Sequence, residues 1–420
     1  MVCVASSALA NEFVLLSNHR DALEARLSML RLAESEIALA VYDMDASTVP
    51  MTLLSLLNER ARQGIKVRVI IDGFLSRLPL ETHRSLADAG VEVKIFHPLF
   101  KGQPGSLNRR MHSKLMVVDR KMMIIGSRNL TDPHFGLGES SYVNCDAVIS
   151  GASCDEAARY FDSIWASSKV STVDNCLAIR ERAAKSNASD VKLGNSMNAE
   201  RLLSRFENRV DDQVGTVQRT NSCSFCPDEL CLLYDPNLEK SDGLMAKKII
   251  SLVDSAKNSI VIESPYPAFS DKFVDALDRA TCRGVSVALL TNSLRTTDQV
   301  IVYAAYQNQK RSLLKRGVKL LEYSGSDHLH AKGMVIDDEL AVFGSYNFDA
   351  RAEGLNLELC MVTSNTRATA IISQSMLNRH AKSILVDQHW IIDVQRDSGA
   401  KRRSQLRAYQ LMAPLLRPLL

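Results

Sequence analysis

The chain has 420 residues, 46% of them apolar and 24% charged, which excludes a disordered polymer and fits two or three globular domains. With 51 basic and 48 acidic residues the net charge is only +3, so any anion site must be built locally. Nine cysteines at this length exclude a disulfide scaffold.

The first ten residues end in an A-x-A-like pattern at Ala8-Leu9-Ala10 but lack a basic start and a long apolar stretch. They read as no functional signal peptide. The alternative is the remnant of one, behind a start site placed too far downstream. No uninterrupted run of about 18 apolar residues occurs, so no transmembrane helix is expected. Asn18-His-Arg-Asp21 leads into a helix over 22–36, with Leu23, Leu27 and Leu30 at helical spacing. A buried strand follows over 37–42. Ser47-Thr-Val-Pro50 opens a helix through Arg62, closed by Gly64. Next come a strand over 67–71, a helix near 80–89 ended by Gly90, and a strand over 91–96. Strands alternating with helices imply α/β architecture with a largely parallel sheet in this part.

The same order recurs later. A helix over 243–256 precedes a strand over 260–263. A helix over 272–282, closed by Gly284, precedes a strand over 285–290. A helix over 297–315, closed by Gly317, precedes a strand over 318–321. Two copies of one α/β unit are therefore expected. The predicted domains are 1–178 and 241–390, with a polar linker or surface excursion at 179–240 and a basic–apolar tail at 391–420. Cys145, Cys282 and Cys360 lie in apolar stretches and read as small core residues. Cys223, Cys226 and Cys231 are clustered. A C-x-x-C pair is half of a zinc site, but no second pair follows it. Zinc, a loop disulfide and plain loop cysteines all stay open.

Each copy carries one constellation. The first is His112-Ser-Lys114, then Asp119, then Gly126-Ser127-Arg-Asn129. The second is His330-Ala-Lys332, then Asp337, then Gly344-Ser345-Tyr-Asn347. A lone H-x-K carries no information, whereas six fixed positions repeated in both halves do. In a strand, His and Lys two apart share a face. Asp at the strand end suits a hairpin turn, so Asp119 and Asp337 tie the turn rather than touch substrate. Gly-Ser-x-Asn lets backbone and side-chain donors approach an anion. Two such units would gather two His, two Lys and two Asn around one phosphate, with no metal or cofactor required.

This doubled motif resembles the signature of the phospholipase D superfamily. Leu107-Asn-Arg-Arg-Met-His112, Asp132-Pro-His-Phe135, Glu263-Ser-Pro-Tyr266, Leu290 to Asp298, and Leu355-Asn-Leu-Glu358 further resemble bacterial C-type cardiolipin synthases. The resemblance implies two α/β/α sandwich repeats packed as a pseudo-dimer with the active site between them. It also implies phosphodiester exchange through a covalent phosphohistidine, with His112 as nucleophile and His330 as general acid/base. Lys114, Lys332, Asn129 and Asn347 would bind the non-bridging oxygens, with Ser127 and Ser345 as further donors. The nucleophilic histidine needs its far nitrogen held by an acceptor. Glu358 stands where that family carries such a carboxylate, and Asp146 heads the corresponding strand in the first half. For both, the plain alternative is an ordinary strand-end acid. Tyr42-Asp-Met-Asp45 departs from the C-type pattern by lacking a Trp, which puts the acceptor pocket in doubt.

The expected reaction transfers a phosphatidyl group to a second phospholipid, making cardiolipin or a relative. The alternatives are a phospholipase D or nuclease, and a non-catalytic lipid- or nucleic-acid-binding paralogue. Two intact motifs argue against the last. Arg396, Lys401, Arg402, Arg403, Arg407 and Arg417, with Leu411-Met-Ala-Pro-Leu-Leu416, suit an anionic membrane surface or packing on the tail's own domain. Peripheral association with a bacterial inner membrane, or a cytoplasmic location, is expected, with phospholipid as the partner. Nucleic acid enters only under the hydrolase alternative, since aromatic–basic interleaving is absent.

Overall fold

The apolar runs become the strands of two mixed sheets in a computed structural model that describes residues 12–98, 108–173, 199–207, 221–236, 243–386 and 399–416. The start segment 1–10, Leu107, the polar stretch 185–190, and Arg396, Asp397 and 417–420 lie outside the described residues. Two units result, the first of 1–141 and 146–227, the second of 142–145 and 228–420.

In the first unit the strands are β1 (Glu12–Leu16), β2 (Glu36–Val41), β3 (Lys66–Asp72), β4 (Glu92–Phe96), β5 (Leu115–Val118) and β6 (Met122–Gly126), while β7 (Tyr142–Val143) belongs to the second unit. Then follow β8 (Asp146–Ser150), β9 (Val170–Thr172) and β10 (Ser222–Ser224). The sheet order is β10-β1-β8-β6-β5-β2-β3-β4-β9. Only β2, β3 and β4 run parallel. The strands expected from the alternation are thus parallel as read, and the sheet as a whole is mixed because the motif hairpin β5–β6 joins β2 antiparallel. Helices α1 (His19–Leu32), α2 (Thr48–Arg62), α3 (Leu80–Asp88), α4 (Ser153–Ala166) and α5 (Ala199–Glu207) accompany it. Asn18 caps α1, its side chain accepting from the Asp21 amide at 2.8 Å. Gly64, at φ +90°, follows α2 in the left-handed conformation glycine adopts freely.

The second unit holds β11 (Leu230–Leu233), β12 (Ser259–Glu263), β13 (Ser286–Asn292), β14 (Lys319–Tyr323), β15 (His328–Leu329), β16 (Gly333–Ile336), β17 (Leu340–Gly344), β18 (Cys360–Thr363) and β19 (Ser383–Leu385). Its large sheet runs β11-β18-β17-β16-β12-β13-β14-β19. Strand for strand this repeats the order β1-β8-β6-β5-β2-β3-β4-β9, so the duplication read from the sequence extends to topology. Strands β10 and β11 both fall inside the stretch 179–240 that reads as a linker. The helices are α6 (Leu244–Ser255), α7 (Asp271–Cys282), α8 (Val300–Lys315), α9 (Ala350–Gly354), α10 (Thr366–His380) and α11 (Gly399–Leu416). Helix α11 packs along α8, and Arg402 donates to the carbonyls of Leu294 (2.6 Å) and Thr297 (3.0 Å). Each unit has its own apolar core, including Phe135, Ile124 and Leu57 in the first and Phe269, Ile262 and Leu320 in the second. Cys145 and Cys360 are buried as expected, whereas Cys282, at the solvent end of α7, is exposed.

Candidate active site

Each half-site is set by a two-residue hairpin turn. Asp119 and Arg120 have φ 53° and 55°, and Asp337 and Asp338 have φ 54° and 55°. Successive left-handed residues make the turn that matches strand twist, and Asp tolerates that conformation. The Asp119 carboxylate accepts from the amides of Glu34, Ser35 and Glu36 at 2.7–2.9 Å. The Asp337 carboxylate accepts from those of Lys257, Asn258 and Ser259 at 2.7–2.8 Å. Both aspartates therefore tie the hairpin to the start of the first parallel strand. Partial burial pushes each carboxyl up, but these amides outweigh it and hold both below the ordinary range.

The histidines and lysines precede β5 and β16 rather than lying within them. The residue before each histidine is clamped instead. The Met111 amide donates to Asp72 at the end of β3 (2.9 Å). In the second unit Asn292, at the end of β13, accepts from the Leu329 amide (2.9 Å) and donates to the Leu329 carbonyl (2.8 Å). Asp72 is fully buried against Arg110 (3.3 Å). Burial pushes its carboxyl up to about 6, against the opposing pull of Arg110 and two amides. Lys114 folds back to the His112 carbonyl (2.5 Å) and Lys332 to the His330 carbonyl (2.6 Å). A tyrosine ring stands edge-on to each imidazole, Tyr42 to His112 at 4.8 Å and Tyr266 to His330 at 6.1 Å. The same rings lie 5.0 and 6.0 Å from the Lys114 and Lys332 ammoniums. All four motif side chains are buried.

The Gly-Ser-x-Asn turns follow. Ser127 and Ser345 are fully buried. The Ser345 hydroxyl donates to Glu358 and accepts from the Leu359 amide (3.0 Å), while Asn356 donates to the other Glu358 oxygen (3.2 Å). A Cβ at Gly344 would lie 2.4 Å from the Leu359 carbonyl oxygen, so only glycine fits. Asn129 and Asn347 are buried, and the amide oxygen of each has no partner. Their amide nitrogens face His134 (3.4 Å) and Asp349. A buried amide oxygen left unpaired in the same position of both copies is suited to an incoming hydrogen-bond donor, and each amide NH₂ has a second N–H to offer an acceptor.

Asp146 does not hold an imidazole. One oxygen accepts from the Ser127 and Arg128 amides (3.0 and 3.1 Å), the other from Arg26 (2.8 Å) and Arg128 (3.1 Å). Burial pushes its carboxyl up, but the two guanidiniums overcome this and hold it below the ordinary range. It anchors the Gly-Ser-Arg-Asn turn. Strand register explains the difference. Asp146 pairs with Gly126 and Cys360 pairs with Gly344, so the counterpart of Glu358 is Asn144, two residues before Asp146. Asn144 escapes sequence reasoning because it is not an acid. Asp72 escapes because it acts from the end of a parallel strand far from its motif, and the contacts of Tyr42, Tyr266 and Asn292 with the motif, though their segments stand out in the sequence, appear only in the fold. Cys223 is buried while Cys226 and Cys231 are exposed, and among the described residues no cluster of His, Cys, Asp and Glu could hold a metal ion.

Residues 27–165 and 249–380 match the family model described as cardiolipin synthase, phospholipase D-like domain. The chain belongs to that family. With it, the chain is an enzyme of the phosphodiester transferase and hydrolase class, built from two phospholipase D-like repeats. Cardiolipin synthase C of Escherichia coli K12 is 27% identical, over 86% of this chain and 83% of its own length. A cardiolipin synthase of Geobacillus kaustophilus is also 27% identical, over 98% of this chain and 73% of its own. Among solved structures, phosphatidylserine synthase of Haemophilus influenzae shares the fold with a TM-score of 0.73. That match covers 98% of this chain and 97% of the other, at 12% identity.

Proposed function

We propose that this family member is a phosphatidyltransferase that works through a phosphohistidine and joins two phospholipids into cardiolipin or a relative. The observation that carries this is the double half-site: histidine, back-folded lysine, edge-on tyrosine and half-open asparagine, built the same way in both units. His112 attacks phosphorus as the bond to the leaving alcohol oxygen breaks, and His330 gives that oxygen its proton. The acceptor hydroxyl then attacks phosphorus, returns a proton to His330 and breaks the phosphorus–nitrogen bond. Lys114, Lys332 and the side-chain amide N–H groups of Asn129 and Asn347 donate to the non-bridging oxygens as charge develops. No step calls for a metal ion.

No helix among the described residues is long and apolar enough to cross a membrane. Helix α11 exposes Leu411 (83%) and Met412 (49%), and Lys401 and Arg407 on the same helix are exposed. We assign it to peripheral contact with anionic lipid. The test is lipid mass spectrometry of cells expressing the chain or its His112→Asn variant. New cardiolipin from the wild type alone supports transfer, and unchanged lipids refute it. Cleavage of single-stranded DNA in EDTA would move the chain to the nucleases.

A further inference from the structure

Strand β7 pairs in parallel with β15, and the His330 amide donates to the Val143 carbonyl at 2.8 Å. The next residue, Asn144, is completely buried. Its Oδ1 lies 2.9 Å from His330 Nδ1, and its Nδ2 donates to the Tyr142 carbonyl at 3.0 Å. A carbonyl oxygen only accepts, so it fixes the NH₂ end of the amide and turns Oδ1 toward the ring. Oδ1 also only accepts, so His330 Nδ1 carries the hydrogen and Nε2 is the nitrogen without one. The second half has a carboxylate, Glu358, at the position where the first half has this amide.

We propose that Asn144 is the positioning residue for His330. It locks the Nδ1–H tautomer through a neutral acceptor, and so withholds the stabilisation that a carboxylate would give the imidazolium. A less stabilised imidazolium surrenders its Nε2 proton more readily to a departing alkoxide. The role of Asn144 in turnover rests on the proposed role of His330 in proton transfer. The rings of Tyr142 (5.4 Å) and Tyr266 (6.1 Å) also face His330. Both hydroxyls donate to Asp298, at 3.2 and 2.7 Å. Beyond them stands His328, 5.2 Å from the Tyr142 ring, and Lys332 on the His330 carbonyl.

The test is nitrogen-15 NMR of the imidazoles in the full chain across pH, with His330 assigned by the signal lost in His330→Gln. The wild type should show the Nδ1–H tautomer. Asn144→Asp should raise the His330 titration midpoint by about one pH unit or more. Asn144→Ala should give mixed tautomers and lower kcat on phospholipid roughly 10- to 100-fold, with KM little changed. An Nε2–H tautomer in the wild type, or an unchanged tautomer and midpoint in both variants, overturns the positioning role. Turnover surviving in His330→Gln would instead overturn the proton-transfer role of His330, whatever the spectra show.

Discussion

Asp146→Asn is the substitution that best separates a catalytic carboxylate from a structural one. The carboxylate is fully buried and faces Arg26 at 2.8 Å and Arg128 at 3.1 Å, with the Ser127 and Arg128 amides on its other oxygen. Replacing it by an amide keeps the shape but leaves two buried guanidiniums without a counter-charge. Removing one partner of a buried ion pair costs about 3–5 kcal/mol. For a cooperative unit of roughly 200 residues, that corresponds to a melting point lower by roughly 6–20 °C. Urea titration and thermal melts followed by circular dichroism measure both quantities.

The pH dependence gives a second readout. The folded carboxyl is held below its ordinary range. Its contribution is therefore present above the unfolded pKa, near 4, and lost as pH falls through the folded value. The wild type should lose this contribution in acid, and Asp146→Asn should lack that part of the acid sensitivity. Combining Asp146→Asn with Arg26→Met leaves fewer unmatched charges and should recover part of the loss. A drop of less than about 1 kcal/mol at neutral pH, with activity abolished, would refute the structural role and return Asp146 to the chemistry.

Lys114→Met or Lys332→Met removes positive charge from the developing phosphorane and should lower kcat roughly 10²- to 10³-fold with little change in melting point, read by lipid turnover and calorimetry. Asp119→Ala places a Cβ-bearing residue without a polar group at φ 53°; it should destabilise by roughly 1–2 kcal/mol in urea while activity per folded molecule persists. Burial pushes the Asp349 carboxyl up to about 7, against the opposing Ala352 amide and with Glu358 adding to the rise. The fold then binds this proton more tightly than the unfolded chain does, so stability falls as pH rises from about 4 to about 7; Asp349→Asn should flatten the difference between urea midpoints at about pH 5 and about pH 8. Leu411→Gln with Met412→Gln should weaken flotation on vesicles rich in anionic phospholipid and leave zwitterionic vesicles unaffected.

The repeat, the parallel strands and the helix starts were legible because each rests on local chemistry: Asn18 capping α1 through its side chain, Ser47-Thr-Val-Pro50 opening α2, β-branched runs bounded by glycine. The hairpin turns were legible for the same reason, since Asp119 and Asp337 carry their own tolerance of the left-handed region. What failed was whatever depends on register. H-x-K reads as strand by period, yet the chain is held there by Asp72 and Asn292 and enters the strand only after the lysine. Asp146 looks like the partner of Glu358 because both acids head apolar strands. Only the pairing with Gly126 and Gly344 shows that the two are offset by two residues.

That offset shows how two copies of one frame came to hold different interiors. In the first unit the turn after the motif is held by buried charge: Arg128 inside the Gly-Ser-Arg-Asn sequence, Asp146 across from the glycine, and Arg26 closing the group. In the second unit the same places hold Tyr346 and Cys360, whose hydroxyl and thiol burial keeps neutral, with the Cys360 thiol pushed up to about 12. The acid there sits two residues earlier, as Glu358 on the Ser345 hydroxyl, where the first half has Asn144. A symmetric pair of sites would give both histidines the same partner and the same proton affinity. In the proposed reaction one histidine would bond to phosphorus while the other passes a proton back and forth, and unequal partners would suit those unequal tasks. The frame supplies equal geometry through Asp119 and Asp337, while the residues two before Asp146 and Cys360 differ: an amide on His330 in one half, a carboxylate on the Ser345 hydroxyl and the Asn356 amide in the other.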